Sequence, residues 1–168
     1  MSDTVSSILK SSVTQTLGAL ASCLAKGKAH AEAMKVDGPV LLAARLYPDM
    51  HPLTRQVQIA CDGAARGAAR LSGAELPSFP DTETTFDELI ARCKSAIAFV
   101  DGADSVAMDA NEREVLQIPM GDNTMAMEGR DYLSRFILPN LHFHAATAYG
   151  LLRHQGVALG KRDFLVPG

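Results

Sequence analysis

Two imidazoles and a carboxamide are the side chains in this sequence best placed to do chemistry. Asn140 and His144 stand four residues apart in Pro139-Asn140-Leu141-His142-Phe143-His144, inside an apolar stretch. On a helix that turns about 100° per residue, positions four apart point the same way, whereas His142 lies about 200° from His144 and faces elsewhere. The pair is therefore Asn140 with His144, on a face shared with Leu133, Phe136, Ile137, Thr147, Ala148 and Leu151. That face reads as the one turned toward a core. A polar pair there has to be hydrogen-bonded, metal-bound or hydrated, because burial without a partner is costly. His51, in Pro48-Asp49-Met50-His51-Pro52, opens a different helix and can reach the pair from across the interior. Arg55 lies one turn further along at the same end.

Helical bundles build ligand and metal sites from side chains on facing helices. A zinc or nickel ion asks for three or four nitrogen, sulfur or carboxylate donors. The sequence supplies His51 and His144, with Asn140 as a weak third. Three uses stay open: a small-molecule pocket of His51, Asn140, His144 and Arg55, a divalent-metal site on His51 and His144, or internal hydrogen bonding that only fixes packing. Pro139 deletes a backbone hydrogen bond and predicts a kink next to these residues. His30, His142 and His154 read as surface residues, and Asp62 as a solvated charge. No glycine-rich phosphate loop, serine elbow or paired-carboxylate motif is present.

The elements that must hold these residues are mostly helices. Val5, Ile8, Leu9, Val13, Leu17, Leu20 and Leu24 recur at three- and four-residue steps and predict a helix over 4–26, with a weaker turn or two over 28–34 after Gly27. Residues 40–47 read as a short helix. A second long helix starts at Pro52 as a first-turn proline and stops at Gly73. Residues 74–82, with Pro77 and Pro80, form a crossover loop. Thr85 and Glu88 make a capping box for a third helix that ends at Asp101-Gly102. Val115–Ile118 and Thr124–Met127, parted by Gly121-Asp122-Asn123, read as a hairpin. Its Met120, Met125 and Met127 suit packing on the bundle end. A fourth helix covers 129–155. Four long helices, one long crossover and a minor hairpin predict an all-α four-helix bundle in a single domain over 1–168.

Composition narrows the partners. With 47% hydrophobic and 21% charged residues the chain can build a packed core. The net charge is −3 and lysine and arginine are nowhere concentrated in sequence, which argues against a nucleic-acid partner. No apolar run approaches the ~18 residues of a membrane span. The polar, acidic opening Met1-Ser2-Asp3-Thr4 lacks the pattern of a secretion signal, so a cytoplasmic location is expected. Cys23, Cys61 and Cys93 each fall on an apolar stripe and read as core residues.

Over nearly its whole length the sequence resembles an uncharacterised bacterial family of the DinB/YfiT-like superfamily. The resemblance is carried by Arg45-Leu46-Tyr47-Pro48-Asp49-Met50-His51-Pro52-Leu53-Thr54-Arg55-Gln56, by Thr84-Thr85-Phe86-Asp87-Glu88-Leu89, by Pro139-Asn140-Leu141-His142-Phe143-His144-Ala145, by Tyr149-Gly150-Leu151-Leu152-Arg153 and by Leu159-Gly160-Lys161-Arg162-Asp163-Phe164-Leu165. It implies an up-down-down-up four-helix bundle and a homodimer. It also implies a divalent-metal site built from one histidine of the second helix and an H-x-x-x-H pair of the fourth. His51 matches the first ligand and His144 the last, and Asn140 stands where the family pattern has a histidine. A zinc or nickel ion would then be weakly held or absent. Some superfamily members are thiol-dependent transferases or hydrolases. The functions this leaves are a small-molecule or metal pocket, a non-enzymatic homodimeric binding or stress-related protein, and a thiol-dependent transferase.

Overall fold

The apolar periodicities do form helices, and named residues set their ends. In the computed structural model, which describes residues 4–166, α1 (Val5–Met34) begins where the Thr4 hydroxyl accepts from the Ser7 N–H, and ends at Lys35. It runs unbroken through the position where the sequence suggests weakening. Gly27 is buried, and a Cβ there would stand 2.8 Å from Leu152 and 2.9 Å from Phe86. The missing side chain admits its neighbours and does not loosen the helix. His30 accordingly lies on α1 and not in a linker, half-buried, with Nε2 3.1 Å from the Gln155 carbonyl that it donates to.

Helix α2 (Gly38–Leu42) is shorter than the 40–47 expected. The chain folds back after it because the Leu53 N–H donates to the Ala44 carbonyl at 2.9 Å. Helix α3 (Leu53–Ser72) takes Pro52 as its N-cap rather than as a first-turn residue, and closes on Gly73 at φ 72°, a conformation that glycine adopts without strain. Helix α4 (Phe86–Gly102) starts at the complete Thr85–Glu88 capping box. A short α5 (Ser105–Ala110), capped by Asp104, carries no long periodicity and is an addition to the sequence reading. Strands β1 (Val115–Met120) and β2 (Asn123–Glu128) pair antiparallel with Met120 opposite Asn123, so only Gly121 and Asp122 turn the hairpin. The final rod consists of α6 (Gly129–Tyr132), a π-helical segment over Leu133–Ile137 and α7 (Leu138–His154); α8 (Lys161–Leu165) follows.

Side-chain pairings fix the topology. Lys28 near the end of α1 bridges to Asp87 at the start of α4, while Ser6 at the start of α1 bonds Asp109 beyond the end of α4, so the two run antiparallel. Helices α3 and α4 run parallel, with Cys61 against Cys93 midway. Gln56 meets His144, and Arg70 meets Tyr132, so α3 and α7 are antiparallel. Gly27 meets Leu152, which sets α7 parallel to α1. The result is the up-down-down-up bundle, ringed in the order α1, α4, α3, α7. Its core is leucine, valine and alanine from all four rods, and all three cysteines are buried in it. Met125 stays exposed while Met127 packs against the core.

The parallel α3–α4 pair requires a crossover the length of the bundle, and one side chain holds it down. Arg92 on α4 is 4% exposed. It donates to Asp62 at 2.6 Å, to Glu83 at 2.7 Å, to Asp81 at 3.0 Å and to the Pro80 carbonyl at 3.1 Å. Its guanidinium carbon also sits 5.1 Å from the centre of the Phe79 ring. Burial opposes its charge, but Glu83 and Asp62 more than offset that and hold it protonated. Removing a buried partner leaves carboxylates uncompensated. Arg92→Leu is therefore expected to lower unfolding stability by about 3 kcal/mol in chemical denaturation, with the loop around Pro80 becoming sensitive to proteolysis. At Gly67 a Cβ would fall 2.7 Å from Ile137 Cδ1. Gly67→Ala should cost about 1–3 kcal/mol, and Ile137→Val in the same chain should recover part of it.

Candidate functional site

The candidate residues meet where the start of α3 faces the middle of α7. Pro139 sits in the first turn of α7, where its missing N–H costs least. Just before it, the Leu138 N–H reaches back five residues to the Leu133 carbonyl. This widened turn accommodates the proline ring, which would otherwise clash with a carbonyl four residues earlier. The kink expected from Pro139 thus takes the form of a π-helical segment. Beyond it, Leu141, Ala145, Ala148 and Leu152 form the buried stripe, and Asn140 and His144 occupy its shoulder, half-buried. They face α3 from the margin and not from the centre of the core, as the sequence reading had them.

Gln56 joins the site together. It is 2% exposed, and both ends of its amide are engaged. Its Nε2 donates to the His51 carbonyl at 3.1 Å, and its Oε1 lies 2.6 Å from His144 Nδ1. The carbonyl of His51 can only accept, so the amide nitrogen must face it and the amide oxygen must face the ring. Nδ1 of His144 therefore carries the proton, and Nε2 is left as a lone pair. Burial holds the His144 imidazole below the usual histidine range, and the charges of His51 and Arg55 push it the same way. The group is a neutral, oriented acceptor at pH 7.

The remaining candidates are placed as follows. His51 contributes its backbone carbonyl to this chain of bonds, and its residue is exposed. Asn140 packs over Gly63, where a Cβ would stand 2.7 Å from Asn140 Nδ2. Arg55 is ion-paired with Asp81 and donates to Gln58 at 3.3 Å, so it joins the site to the Arg92 cluster. Asp62, read from the sequence as a solvated charge, is instead a partner of buried Arg92. Among the described residues, no three of His, Cys, Asp or Glu come together as a metal-ligand group. The site offers two imidazoles, one of them with a ring nitrogen already taken by Gln56. An ion held by these two would have to fill its remaining positions with water. All three cysteines are buried: burial, then Asp163, pushes the Cys23 thiol up to about 11, and the hydrogen bond to Cys93 and burial raise that of Cys61.

Gln56 is the residue that sequence reasoning missed as a functional group. The signal was present: it falls between Leu53 and Ala60, one helical turn from each, on a stripe that is otherwise apolar.

The rods and hairpin have the fold of a DinB-like helical bundle. The chain belongs to the DUF1993 family, a domain of unknown function, whose sequence model matches residues 7–165. It is similar to a DinB family member protein from Shewanella denitrificans of known crystal structure, at 38% identity and TM-score 0.85, covering 95% of this chain and 93% of that one. No curated protein matches it. No helix among the described residues is long and apolar enough to cross a membrane.

The depressed titration of His144 has a definite sign. The unfolded chain takes up the proton first as pH falls, so this group's stabilising contribution is complete above the ordinary histidine value and is lost as pH drops through the folded one. Histidine-resolved NMR titration should place His144 below the ordinary histidine range. Arg55→Ala should move it upward by removing one of the positive charges.

Proposed function

We propose that this protein binds a small molecule where α3 faces α7, with His144 as its polar anchor. The observation that carries this reading is the 2.6 Å contact from Gln56 to His144 Nδ1, which fixes the tautomer and leaves Nε2 unprotonated. Held neutral, the imidazole accepts a hydrogen bond or takes a proton from a ligand O–H, N–H or S–H group. Arg55 supplies positive charge at the same end, and Asn140 supplies a carboxamide. For a thiol-dependent transferase, the thiol would have to be a soluble co-substrate, since the chain's own thiols are buried. A thermal-shift screen of small acids, thiols and heterocycles against wild type, His144→Ala and His142→Ala tests the reading. At least one compound should raise the wild-type Tm, with the gain lost in His144→Ala and kept in His142→Ala, which alters an exposed neighbour. A gain that survives His144→Ala rejects it.

A second reading is a divalent ion held by His51 and His144 with water in the open positions. Orientation of a histidine by a hydrogen bond at its other nitrogen, as Gln56 does here, is the usual support for a metal ligand. Metal analysis of untagged protein decides it: substoichiometric zinc or nickel that His144→Ala leaves unchanged removes the metal. The third reading is a non-enzymatic homodimer. It expects His144→Ala to lower Tm while abolishing no ligand-dependent gain, and sedimentation to show two copies.

A further inference from the structure

An adjoining groove, which shares Arg55 and Gly63 with the His144 site, runs along α3 and the α6 and π-helical part of the final rod, further toward the hairpin. It has a volume of about 240 Å³, with Arg66 and Arg70 of α3 on one wall, Tyr132 and Phe136 on the other, and Pro119 of β1 at one end. Its charge is unbalanced. Asp62, at its edge, is committed to Arg92 at 2.6 Å, and Arg55, at the far end, is paired with Asp81. Among the described residues neither Arg66 nor Arg70 has a carboxylate partner. The two guanidiniums are four apart on one helix face, an arrangement that repels, within a chain of net charge −3. Arg70 is also aimed: its Nη1 donates to the hydroxyl of buried Tyr132 at 3.3 Å, which fixes the guanidinium at the groove wall. On the opposite wall the half-buried Phe136 ring is backed by buried Tyr132, with centroids 5.6 Å apart and 26° between planes.

We propose that this groove binds a small aromatic oxyanion, its carboxylate or phosphate on Arg66 and Arg70 and its ring against Phe136. Guanidinium forks match such oxyanions with two parallel hydrogen bonds, and a ring wall accepts a flat apolar body. The volume, below the ~300 Å³ of typical drug-sized pockets, suits a ligand of one-ring size. The proposal does not rest on His144.

The test is an amide NMR titration of the full chain with benzoate, phenyl phosphate and benzyl alcohol. Benzoate, phenyl phosphate or both should shift amides of α3 around Gly63–Arg70 and of β1, and the tighter of the two identifies the acid group. Benzyl alcohol should bind at least about tenfold more weakly, the value of one charge-assisted hydrogen bond. Arg66→Ala, at an exposed position, should weaken the anion by a similar factor. Arg70→Lys, which keeps the charge but loses the fork, should weaken it too, and added salt should do the same. His144→Ala should leave it unchanged. The proposal is overturned if neither anion binds at millimolar concentration, if benzyl alcohol binds as well, or if Arg66→Ala binds as tightly as wild type. It also fails if His144→Ala alone abolishes binding, which would place the anion at the other site.

Discussion

A buried guanidinium carries the architecture. Two neighbouring helices of this bundle run parallel, and a parallel pair cannot be joined by a short turn. The connecting segment has to travel back along the whole rod without a helix or strand to absorb its polar backbone. Arg92 answers that constraint by reaching out of α4 to the carboxylates of Asp62, Asp81 and Glu83 and to the Pro80 carbonyl. Glu83 in turn accepts from Gln58, and Asp81 from Arg55. The loop is thereby tied to both helices that it connects. Such clusters are poor sources of net stability compared with apolar packing, but their geometry is specific. Here they set the path of the crossover, and with it the separation of α3 from α4.

That cluster and the α3–α7 site are not independent. Arg55 belongs to both, bonded to Asp81 and Gln58 on one side and close enough to His144 to depress its titration on the other. Along α3 the side chains alternate between duties. Gln56 and Gly63 meet α7 and Gly67 meets the π-helical segment before it, while Gln58 and Asp62 meet the crossover and α4. The alanines on the remaining face let the core close tightly around both. A helix with so many polar obligations can still be buried because each of its buried polar side-chain atoms has a partner. Arg92 Nε is the one buried side-chain N–H among the described residues without an acceptor.

Much of this was readable from the sequence, for physical reasons that differ from element to element. The start of α4 was legible because a capping box is a local device: Thr85 and Glu88 need nothing outside four residues to define it. Gly73 and the hairpin turn were legible on the same ground. Gly27 was misread because its role is tertiary. Nothing within α1 reveals that Phe86 and Leu152 pack on it. Asp62 looked like a solvated charge for the same reason, since its partner Arg92 lies 30 residues away. At the site, the helical spacing of Asn140 and His144 gave the correct common direction. Their depth was overestimated because the π-helical segment shifts the phase of everything before it, and a uniform 100° wheel carries no such offset. Gln56 was hidden in plain view, a polar residue on an apolar stripe whose meaning depends on what stands opposite.

The widened turn at Leu133–Ile137 also says something about how this rod tolerates change. It amounts to one residue more than a regular helix of the same length would hold, so it uncouples the rotation of the two segments it joins. Tyr132 and Leu133 on one side, and Leu141 and Ala145 on the other, are all buried. A chain shortened by one residue between them would swing one half by about 100° relative to the other. It would then have to choose which of the two segments kept its apolar side indoors.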